Sequence, residues 1–406
     1  MIKMSQYERI EAGNKHLKGS NLIQIIIYTL FGLGPLTGNV ILVLFGVLSI
    51  DFSVSPTDLL VAIPAFMFPF AIMQLFSGAI SDVKGRFPVI LFGLTIFGLG
   101  MLLATLSLSL YMFILANICG GIGFGFVNPV LIALLTDLTP GPKIPKRMGF
   151  LGAVANIGVG FGPLLAGLMV MINWRYLYIL FIIITILGFI IIFSLKKKPL
   201  KVAEGAGIRI FLSHLSIEIR RPVVILMIIS AFLASHTYLA SVIWTSRAFT
   251  HVVPESLAGI ILAGVGLMGA FSGILIGFLI HKKGVGLASL LGIISLFIGM
   301  IILVLNGDIN PSFLLFIIIG LIFMGIAGGI LIPSVMFYSQ TLSKERRGAL
   351  AGLSTAGQFI GIALVPTTYE PFFNSGGISL VYFVILMVSI VVLISFFILY
   401  LLAKPR

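Results

Sequence analysis

The sequence predicts an all-α integral membrane protein with twelve transmembrane helices in two six-helix bundles. Three observations carry this prediction: the composition, the number of long apolar runs, and a repeat that divides the chain near its middle. Hydrophobic residues make up 59% of the chain and charged residues only 9%, whereas a soluble domain carries roughly 25% charged residues. A chain of this composition needs the hydrocarbon of a bilayer as its solvent.

Long apolar runs supply the predicted helices. A transmembrane helix needs about 20 apolar residues, and we number twelve such runs span 1 to span 12. A membrane strand would alternate apolar and polar residues over about ten positions, and these runs do not alternate. The runs lie at 21–48, 57–79, 88–108, 110–136, 148–172, 176–195, 222–246, 256–280, 286–305, 312–338, 349–371 and 378–403.

An internal repeat relates spans 1–6 to spans 7–12. GAISDVKGR at 78–86 and GFLIHKKG at 277–284 place glycines at matching positions, 199 residues apart. Further glycines and a proline continue the match, which makes the halves parallel repeats of the kind found in transporters. These pairs are Gly121 with Gly325, Gly125 with Gly329, Pro129 with Pro333, Gly158 with Gly357 and Gly162 with Gly361.

Charge sets the predicted topology. The net charge is +13, and 23 of the 25 Lys and Arg residues fall in the termini and in loops on one side, leaving Arg175 and Arg247 on the other. Positive charge marks the cytoplasmic side, so we expect a multi-pass protein of the cell membrane with both termini in the cytoplasm. The basic excess therefore indicates topology and contact with anionic lipid, not a nucleic-acid partner.

The predicted domain boundaries follow from these spans. We expect a cytoplasmic N-terminal tail at 1–20, without the apolar core of a signal peptide, and a six-helix bundle at 21–195. An amphipathic cytoplasmic linker at 196–221 then leads to the second bundle at 222–406, which ends in a short cytoplasmic tail. The linker's apolar stripe predicts a helix that lies in the membrane interface.

Three motifs carry a resemblance to a known family. Gly78–Arg86 resembles the G-x-L-x-D-x-x-G-R motif between helices 2 and 3 of major facilitator superfamily transporters. The glycines from Gly149 to Gly167 resemble that superfamily's helix 5 motif, and Asn173–Tyr176 resembles its W-R signature at helix 6. The chain is thus similar to a major facilitator superfamily transporter of the drug–proton antiporter branch, which implies the major facilitator fold and alternating access.

The first motif predicts a gating latch on the cytoplasmic side. Gly85 permits a tight turn, and Arg86 can fork onto the carboxylate of Asp137. The resemblance implies that Asp82 faces the N-terminal end of span 11, near 348–351, across the two halves. The alternative is a loop that only sets topology.

Glycine ladders predict the interface along which the halves slide. Small residues spaced along a helix let helix backbones approach closely, and proline weakens a helix locally. We expect spans 5 and 8 to meet between the halves, although generic close packing explains the same pattern. The residues are Gly149, Gly158, Gly162 and Pro163 in span 5, and Gly269, Gly273 and Gly277 in span 8.

Polar residues inside the spans are the candidates for substrate binding or coupling. They are Tyr28, Asn39, Asn117, Asn128, His236, Tyr238 and Gln358. We expect His236 to be neutral and to face a central cavity near span 1 or span 11, where Tyr28 or Gln358 receives its N–H. A core histidine bonded to Ser235 or a carbonyl is the alternative. Antiporters of this resemblance often carry Arg where Asn117 stands, which leaves proton coupling open.

Side chains that are missing from the middle of the spans exclude several classes of ligand. Without a mid-span Arg, Lys or carboxylate, the sequence favours a weakly polar or amphipathic substrate held by apolar contacts. A nucleotide-binding loop and a metal-ligand cluster are both missing, so we expect no cofactor, no metal and no enzymatic activity.

The leading hypothesis is a secondary exporter of small lipophilic molecules. The sequence leaves open whether this export is coupled to protons. A passive facilitator of the same fold is the alternative, followed by a non-transporting receptor or scaffold. We expect a monomer that contacts its substrate and membrane lipid.

Overall fold

The fold was obtained as a computed structural model, which describes residues 21–139, 143–195, 213, 215–250, 252–307, 309–343 and 346–403. Every regular element in these ranges is a helix. The expected tail at 1–20 and most of the expected linker at 196–221 lie outside the described residues. The all-α membrane fold expected from the apolar runs is confirmed.

Helices coincide with the apolar runs to within a few residues at most boundaries. Span 1 consists of two helices, and short 3₁₀ turns at Asp58–Val61 and Pro311–Phe313 precede spans 2 and 10. The helices are Asn21–Asn39 with Ile41–Phe52 (span 1), Ala62–Lys84 (span 2), Arg86–Thr105 (span 3), Leu110–Asp137 (span 4), Ile144–Val170 (span 5), Arg175–Leu195 (span 6), Pro222–Phe249 (span 7), Glu255–Lys283 (span 8), Val285–Leu305 (span 9), Leu314–Thr341 (span 10) and Arg347–Leu402 (spans 11 and 12).

Spans 11 and 12 run on as one helical stretch of 56 residues, Arg347–Leu402. Non-helical backbone angles at Gly376 and Gly377 break this stretch, and Gly377 has a φ of 64°, which glycine adopts without strain. Because a bilayer core is about 30 Å thick, and each helical residue adds about 1.5 Å, the stretch is long enough to cross twice. The described chain has 11 helices that satisfy the length and composition of a membrane span, and because the last of them is long enough to cross twice, they account for the twelve expected spans.

Two glycines make the tight turns of the sequence repeat. Gly85 between spans 2 and 3 has a φ of 90°, and Gly284 between spans 8 and 9 has a φ of 86°. A side chain at either position would be strained. The matching backbone angles indicate that the repeat is structural as well as sequential.

Successive spans alternate in direction, which gives the bundle two faces. We call the end that carries Arg86, Arg147, Lys282 and Arg346 the basic face. The other end, which carries Thr57 and Arg247, is the opposite face.

An ion-pair cluster holds the last residues before span 7 at the basic face. Glu218 is buried and its carboxylate accepts from Arg221 at 2.6 Å and from Arg346 at 2.9 Å. Because Arg346 precedes span 11, this cluster joins the end of the linker to the second half. A buried carboxylate between two guanidinium groups is compensated, whereas an isolated one is costly.

On the opposite face, Asp51 ties three spans of the first half together. Its carboxylate accepts from the Trp174 indole at 2.8 Å and from Arg175 at 2.9 Å, and Arg175 also donates to the Ser107 carbonyl at 3.0 Å. Trp174 packs edge-on against Phe113 inside the bundle. The W-R segment thereby fixes the start of span 6 against spans 1, 3 and 4.

Candidate functional site

The candidate functional site is the interface between the two halves, together with the charged cluster next to it on the basic face. In that cluster Arg86 contacts both expected carboxylates. Its guanidinium lies 2.5 Å from Asp82 and 3.0 Å from Asp137, and also donates to the Ser81 hydroxyl at 2.6 Å. The turn at Gly85 brings span 3 beside span 2 so that Arg86 reaches these groups.

All of these contacts lie within the first half. Among the described residues, Asp82 pairs with Arg86 and makes no hydrogen bond or ion pair to span 11. The two halves do meet nearby, where an added Cβ on Gly352 of span 11 would lie 3.7 Å from Leu75 of span 2. The cluster is thus assembled next to the interface, and its role as a latch across the halves remains a prediction.

The span 5 ladder packs within its own half. A Cβ on Gly158 would lie 2.7 Å from the Gly32 carbonyl, and one on Gly162 would lie 2.5 Å from the Leu36 carbonyl. Both neighbours belong to span 1, so the expectation that these glycines face span 8 was wrong. Pro163 does reach span 8, since its carbonyl would lie 2.7 Å from a Cβ on Gly259. Gly149 lies near the start of span 5.

The span 8 ladder likewise packs mainly within the second half. A Cβ on Gly269 would lie 3.2 Å from the Gly325 carbonyl, and one on Gly273 would lie 3.1 Å from the Gly329 carbonyl, both in span 10. Gly273 also approaches span 5, with the Asn156 amide at 3.6 Å. A Cβ on Gly277 would meet no atom within 4 Å, so this glycine is not at a helix contact.

Spans 5 and 8 nevertheless meet between the halves, through a different set of glycines. A Cβ on Gly266 would lie 2.5 Å from the backbone nitrogen of Gly160, and one on Gly167 would lie 2.8 Å from the Glu255 carbonyl. Gly160 and Gly167 are seven residues apart, as are Gly259 and Gly266. That spacing is two helical turns on one face, and it is the sequence pattern from which this contact could have been found.

The opposite face is closed by side chains that cross between the halves. The Ser246 hydroxyl of span 7 donates to the Leu42 carbonyl of span 1. The Arg247 guanidinium donates twice to the Thr57 hydroxyl, at 3.1 and 2.9 Å. Neither pair joins two charged groups, so the halves can separate at this face without breaking an ion pair.

Aromatic rings also meet across the interface. Phe70 of span 2 and Phe359 of span 11 lie edge to face with ring centroids 4.5 Å apart. Phe70 also packs against Phe124 of span 4. These rings connect the two halves at mid-depth, where apolar and aromatic contacts were expected to hold a substrate.

Buried amides lie close to these rings on spans 2, 4 and 11. Asn128 donates to the Gln74 carbonyl oxygen at 3.3 Å. The remaining Gln74 nitrogen, the Asn128 oxygen and the Gln358 nitrogen have no hydrogen-bond partner among the described residues. Gln74 and Gln358 are 7% and 6% exposed. Because unpaired buried polar groups are costly, these three residues are the strongest candidates for contacts with a bound solute.

The other expected cavity residues contact neighbours within their own helix or within their own half of the protein. Asn39 donates to the Pro35 carbonyl and Asn117 to the Phe113 carbonyl, each one turn back on its own helix. Tyr28 lies edge-on against Phe150 of span 5, with ring centroids 4.7 Å apart. The buried ring of Tyr238 packs directly against Gly328 of span 10, and a Cβ added to this glycine would lie 2.6 Å from the ring.

His236 is enclosed in the second half. Its Nδ1 lies 2.7 Å from the Gly361 carbonyl of span 11, and its ring stacks between Phe232 and Tyr369 with centroids 5.3 Å away on each side. Span 11 was one of the two expected neighbours, and the expected partners Tyr28 and Gln358 were wrong. The contact is the one named as the alternative, a core histidine bonded to a carbonyl. The ring is 4% exposed, because glycine at 361 lets spans 7 and 11 approach closely.

Among the described residues, no group of three or more His, Cys, Asp or Glu side chains is arranged to hold a metal ion. The acidic side chains that the structure describes lie at or near the ends of the spans. The interface offers amides, hydroxyls, aromatic rings, one partly buried guanidinium and, at the opposite face, the carboxylate of Glu255, whose Oε1 would lie 2.6 Å from a Cβ on Gly46 of span 1.

Comparisons with known proteins agree on one family. A model of the Major Facilitator Superfamily matches residues 25–366. The quinolone resistance protein NorA of Staphylococcus aureus (strain COL) is 24% identical over 355 residues, which cover 84% of this chain and 89% of that protein. The multidrug transporter DTR1 of Candida glabrata is 31% identical over 193 residues, which cover 47% of this chain and 35% of that protein.

Two solved structures share the fold. The nucleoside transporter NupG superposes with a TM-score of 0.72 at 15% identity, covering 93% of this chain and 100% of that one. A D-xylose–proton symporter superposes with a TM-score of 0.73 at 15% identity, covering 93% of this chain and 97% of that one. At this identity the likeness concerns the fold alone.

Proposed function

Because the chain belongs to the Major Facilitator Superfamily, we propose that it exports small lipophilic or amphipathic molecules by alternating access. Membership makes it a membrane transporter and not an enzyme. The relatives named for quinolone resistance and multidrug transport support export and an apolar substrate class. That support is an analogy from related proteins, since one fold hosts many substrates.

The observation that carries the proposal is the way the halves meet. Along spans 5 and 8 the contact consists of glycines such as Gly160 and Gly266, which present smooth backbone surfaces. At the opposite face the crossing contacts are hydrogen bonds from Ser246 and Arg247 to neutral acceptors. Contacts of these two kinds suit two rigid bundles that rock and separate at one face while they close at the other.

Orientation follows from charge. We place the basic face in the cytoplasm, with both termini on that side of the cell membrane, because the sequence assigns 23 of the 25 Lys and Arg residues to the termini and loops of that side. The described conformation is then closed to the outside. We propose a monomer with boundaries at 21–195 and 222–406, in contact with anionic lipid at its basic face.

The substrate site is proposed between spans 2, 4 and 11. The amide atoms of Gln74, Asn128 and Gln358 that have no partner among the described residues supply hydrogen bonds, and Phe70 and Phe359 supply aromatic surface. A few convergent polar groups in an apolar pocket are typical of small-molecule sites. The asymmetric lining fits an amphipathic solute better than a sugar, which would need many more polar partners.

A passive facilitator is the second candidate. None of the described acidic side chains lies in the middle of a span, and Asn117 bonds its own helix, so a proton-carrying carboxylate is not at hand. His236 is the remaining candidate for coupling, although its ring is enclosed by Phe232 and Tyr369.

Reconstituted vesicles test both candidates. Purified protein in lipid vesicles should move a fluorescent quinolone from the side of the basic face to the opposite face, faster than protein-free vesicles do. Protease cleavage of the exposed basic loops gives the orientation of the inserted protein. Accumulation against the quinolone gradient only under an imposed pH gradient indicates antiport, whereas equilibration alone indicates a facilitator. Movement no faster than in protein-free vesicles would contradict the proposed substrate class.

A further inference from the structure

Arg247 occupies an unusual position at the outer end of span 7. Its guanidinium donates to the Thr57 hydroxyl of the other half through two nitrogens. The guanidinium carbon also lies 5.3 Å from the ring centroid of Phe373, at the outer end of span 11. Three spans from both halves therefore converge on one cation.

This cation has no counter-charge in the described part of the chain. No described carboxylate lies within 4.0 Å of the Arg247 guanidinium, which is the distance that defines an ion pair. Two ionisable residues of the neighbouring loops, His251 and Asp308, are not among the described residues. By contrast Arg175, the other arginine on this face, pairs with Asp51 at 2.9 Å. Partly buried charges inside membrane proteins are normally paired, so the unpaired one needs an explanation.

Three further described carboxylates lie near this face, and none of them forms an ion pair with Arg247; one is Glu370, which precedes Phe373 by one turn of span 11. Glu255, at the start of span 8, points toward Gly46 of span 1, where an added Cβ would lie 2.6 Å from its Oε1. Asp58 accepts from the Ser55 backbone N–H at 3.0 Å. Among the described residues, Arg247 thus has a hydroxyl and an aromatic ring as partners, and neither neutralises it.

We propose that Arg247 is an anion-binding residue on the outer part of the substrate path, and that it selects organic carboxylates with an aromatic body. The proposal rests on the proposed transport function and narrows its substrate class. Phe373 forms the aromatic wall beside the guanidinium, and the buried ring of Trp244 supports it from behind, with ring centroids 4.9 Å apart.

Opening of the outer face makes the site available. Thr57 belongs to the first half and Arg247 to the second, so separation of the halves removes the hydroxyl acceptor from two N–H donors. A carboxylate can then take the place of Thr57 and accept both bonds in the fork geometry that arginine favours. The aromatic body of the same molecule stacks on the wall beside it.

This site changes the expected substrate class. The sequence excluded an organic anion because Arg and Lys are missing from the middle of the spans. The structure places Arg247 away from that midplane but partly buried and at the crossing between the halves, where a substrate must pass. A molecule with an apolar aromatic body and one carboxylate satisfies both the apolar interior and this cation.

A matched pair of probes tests the proposal on purified protein. Calorimetric titration with 2-naphthoate and with its neutral isostere 2-naphthamide gives the ratio of the two affinities. In Arg247→Gln we expect naphthoate binding to weaken at least about tenfold, as for loss of a hydrogen bond to a charged group. Naphthamide binding should change by less than about twofold. Arg247→Lys, which keeps the charge without the fork, should give an intermediate ratio.

Two control variants separate this site from a role in gating alone. Thr57→Val removes the acceptor and keeps the cation, so it should retain the preference for naphthoate. Arg175→Gln makes the same charge change on the same face and should also retain it. If Arg247→Gln does not give monodisperse protein, the affinities for the two probes are compared in Arg247→Lys and Thr57→Val instead.

Each possible outcome either supports the anion site or overturns it. A selective loss of naphthoate binding in Arg247→Gln, absent from Thr57→Val and Arg175→Gln, supports the anion site. Equal loss of both probes, or the same loss in Thr57→Val, overturns the site and leaves the transport function untouched. Failure of the wild-type protein to bind either probe counts against the proposed aromatic substrate class as well as the site.

Discussion

Replacing Gly266 by alanine should reduce transport at least tenfold while the protein remains folded. The new Cβ would lie 2.5 Å from the backbone nitrogen of Gly160, and backbone cannot yield as a flexible side chain can. Overpacking of this kind costs about 1–3 kcal/mol. Because spans 5 and 8 belong to different halves, the cost falls on the state that is closed at the opposite face. The measurement is quinolone transport in vesicles, with thermal stability as the check on folding.

Gly264→Ala is the matched control. It makes the same substitution two residues away on the same helix, and its Cβ would meet no atom within 4 Å. We expect transport close to that of the unmodified protein, with slightly higher stability because alanine favours a helix. Equal transport in the two variants would show that the contact between Gly160 and Gly266 does not matter for transport.

Replacing Arg86 by glutamine should also reduce transport strongly, by destabilising the state closed at the basic face. The change removes contacts to Asp82 and Asp137, and each such partly exposed ion pair contributes up to about 1 kcal/mol. If the cluster acts as the proposed latch, so that a combined loss of about 1–2 kcal/mol falls on the state closed at the basic face, the two-state population shifts by a factor of about 5–30. That shift is too small to unfold a bundle and large enough to trap the transporter in one state. Quinolone transport and expression level are the two readouts.

Lys84→Gln provides the comparison for charge. Lys84 lies two residues before Arg86, is exposed, and makes no ion pair among the described residues. Both variants lose one positive charge from the same turn. If they lose transport to the same extent, the loss reflects the charge of the loop and not a latch.

The fold was largely predictable because lipid imposes strong rules on sequence. Apolar runs of about 20 residues and the bias of Lys and Arg located the spans, and glycines 199 residues apart located the equivalent turns at Gly85 and Gly284. The way in which spans 11 and 12 join within the helical stretch Arg347–Leu402 was not foreseen. Only the backbone angles at Gly376 and Gly377 separate its two spans, and a glycine pair does not reveal the angle it adopts.

The interface between the halves was harder to predict, because a glycine ladder does not say which neighbour it faces. Gly158 and Gly160 lie two residues apart, which places them on nearly opposite sides of span 5. The first packs on span 1 and the second on span 8. The helix 5 motif drew attention to Gly158 and Gly162, whereas the seven-residue spacing from Gly160 to Gly167 was the better guide.

Polar partners were the least predictable part of the site. His236 was expected to bond Tyr28 or Gln358, with a carbonyl as the alternative, and the carbonyl of Gly361 is its partner. Carbonyls exist at every position, so a sequence cannot indicate which one a helix crossing exposes. Arg247 was assigned to the outer loop, and only the packing of spans 2, 7 and 11 places it between the halves.

Two pairs of spin labels can follow the proposed rocking at both faces. In a Cys119→Ser background, labels at Leu108→Cys and Val252→Cys report the opposite face, and labels at Lys84→Cys and Lys282→Cys report the basic face. All four positions are exposed, and each pair has one site in each half. Distances are measured in lipid nanodiscs by pulsed electron paramagnetic resonance.

The most direct test compares these distances between the Gly266→Ala and Arg86→Gln variants. Rocking of two rigid halves predicts that Gly266→Ala lengthens the Leu108–Val252 distance and shortens the Lys84–Lys282 distance relative to the parent, and that Arg86→Gln does the reverse. Distances at the two faces that change in the same direction, or that stay fixed in both variants, would contradict alternating access by rocking of the two halves.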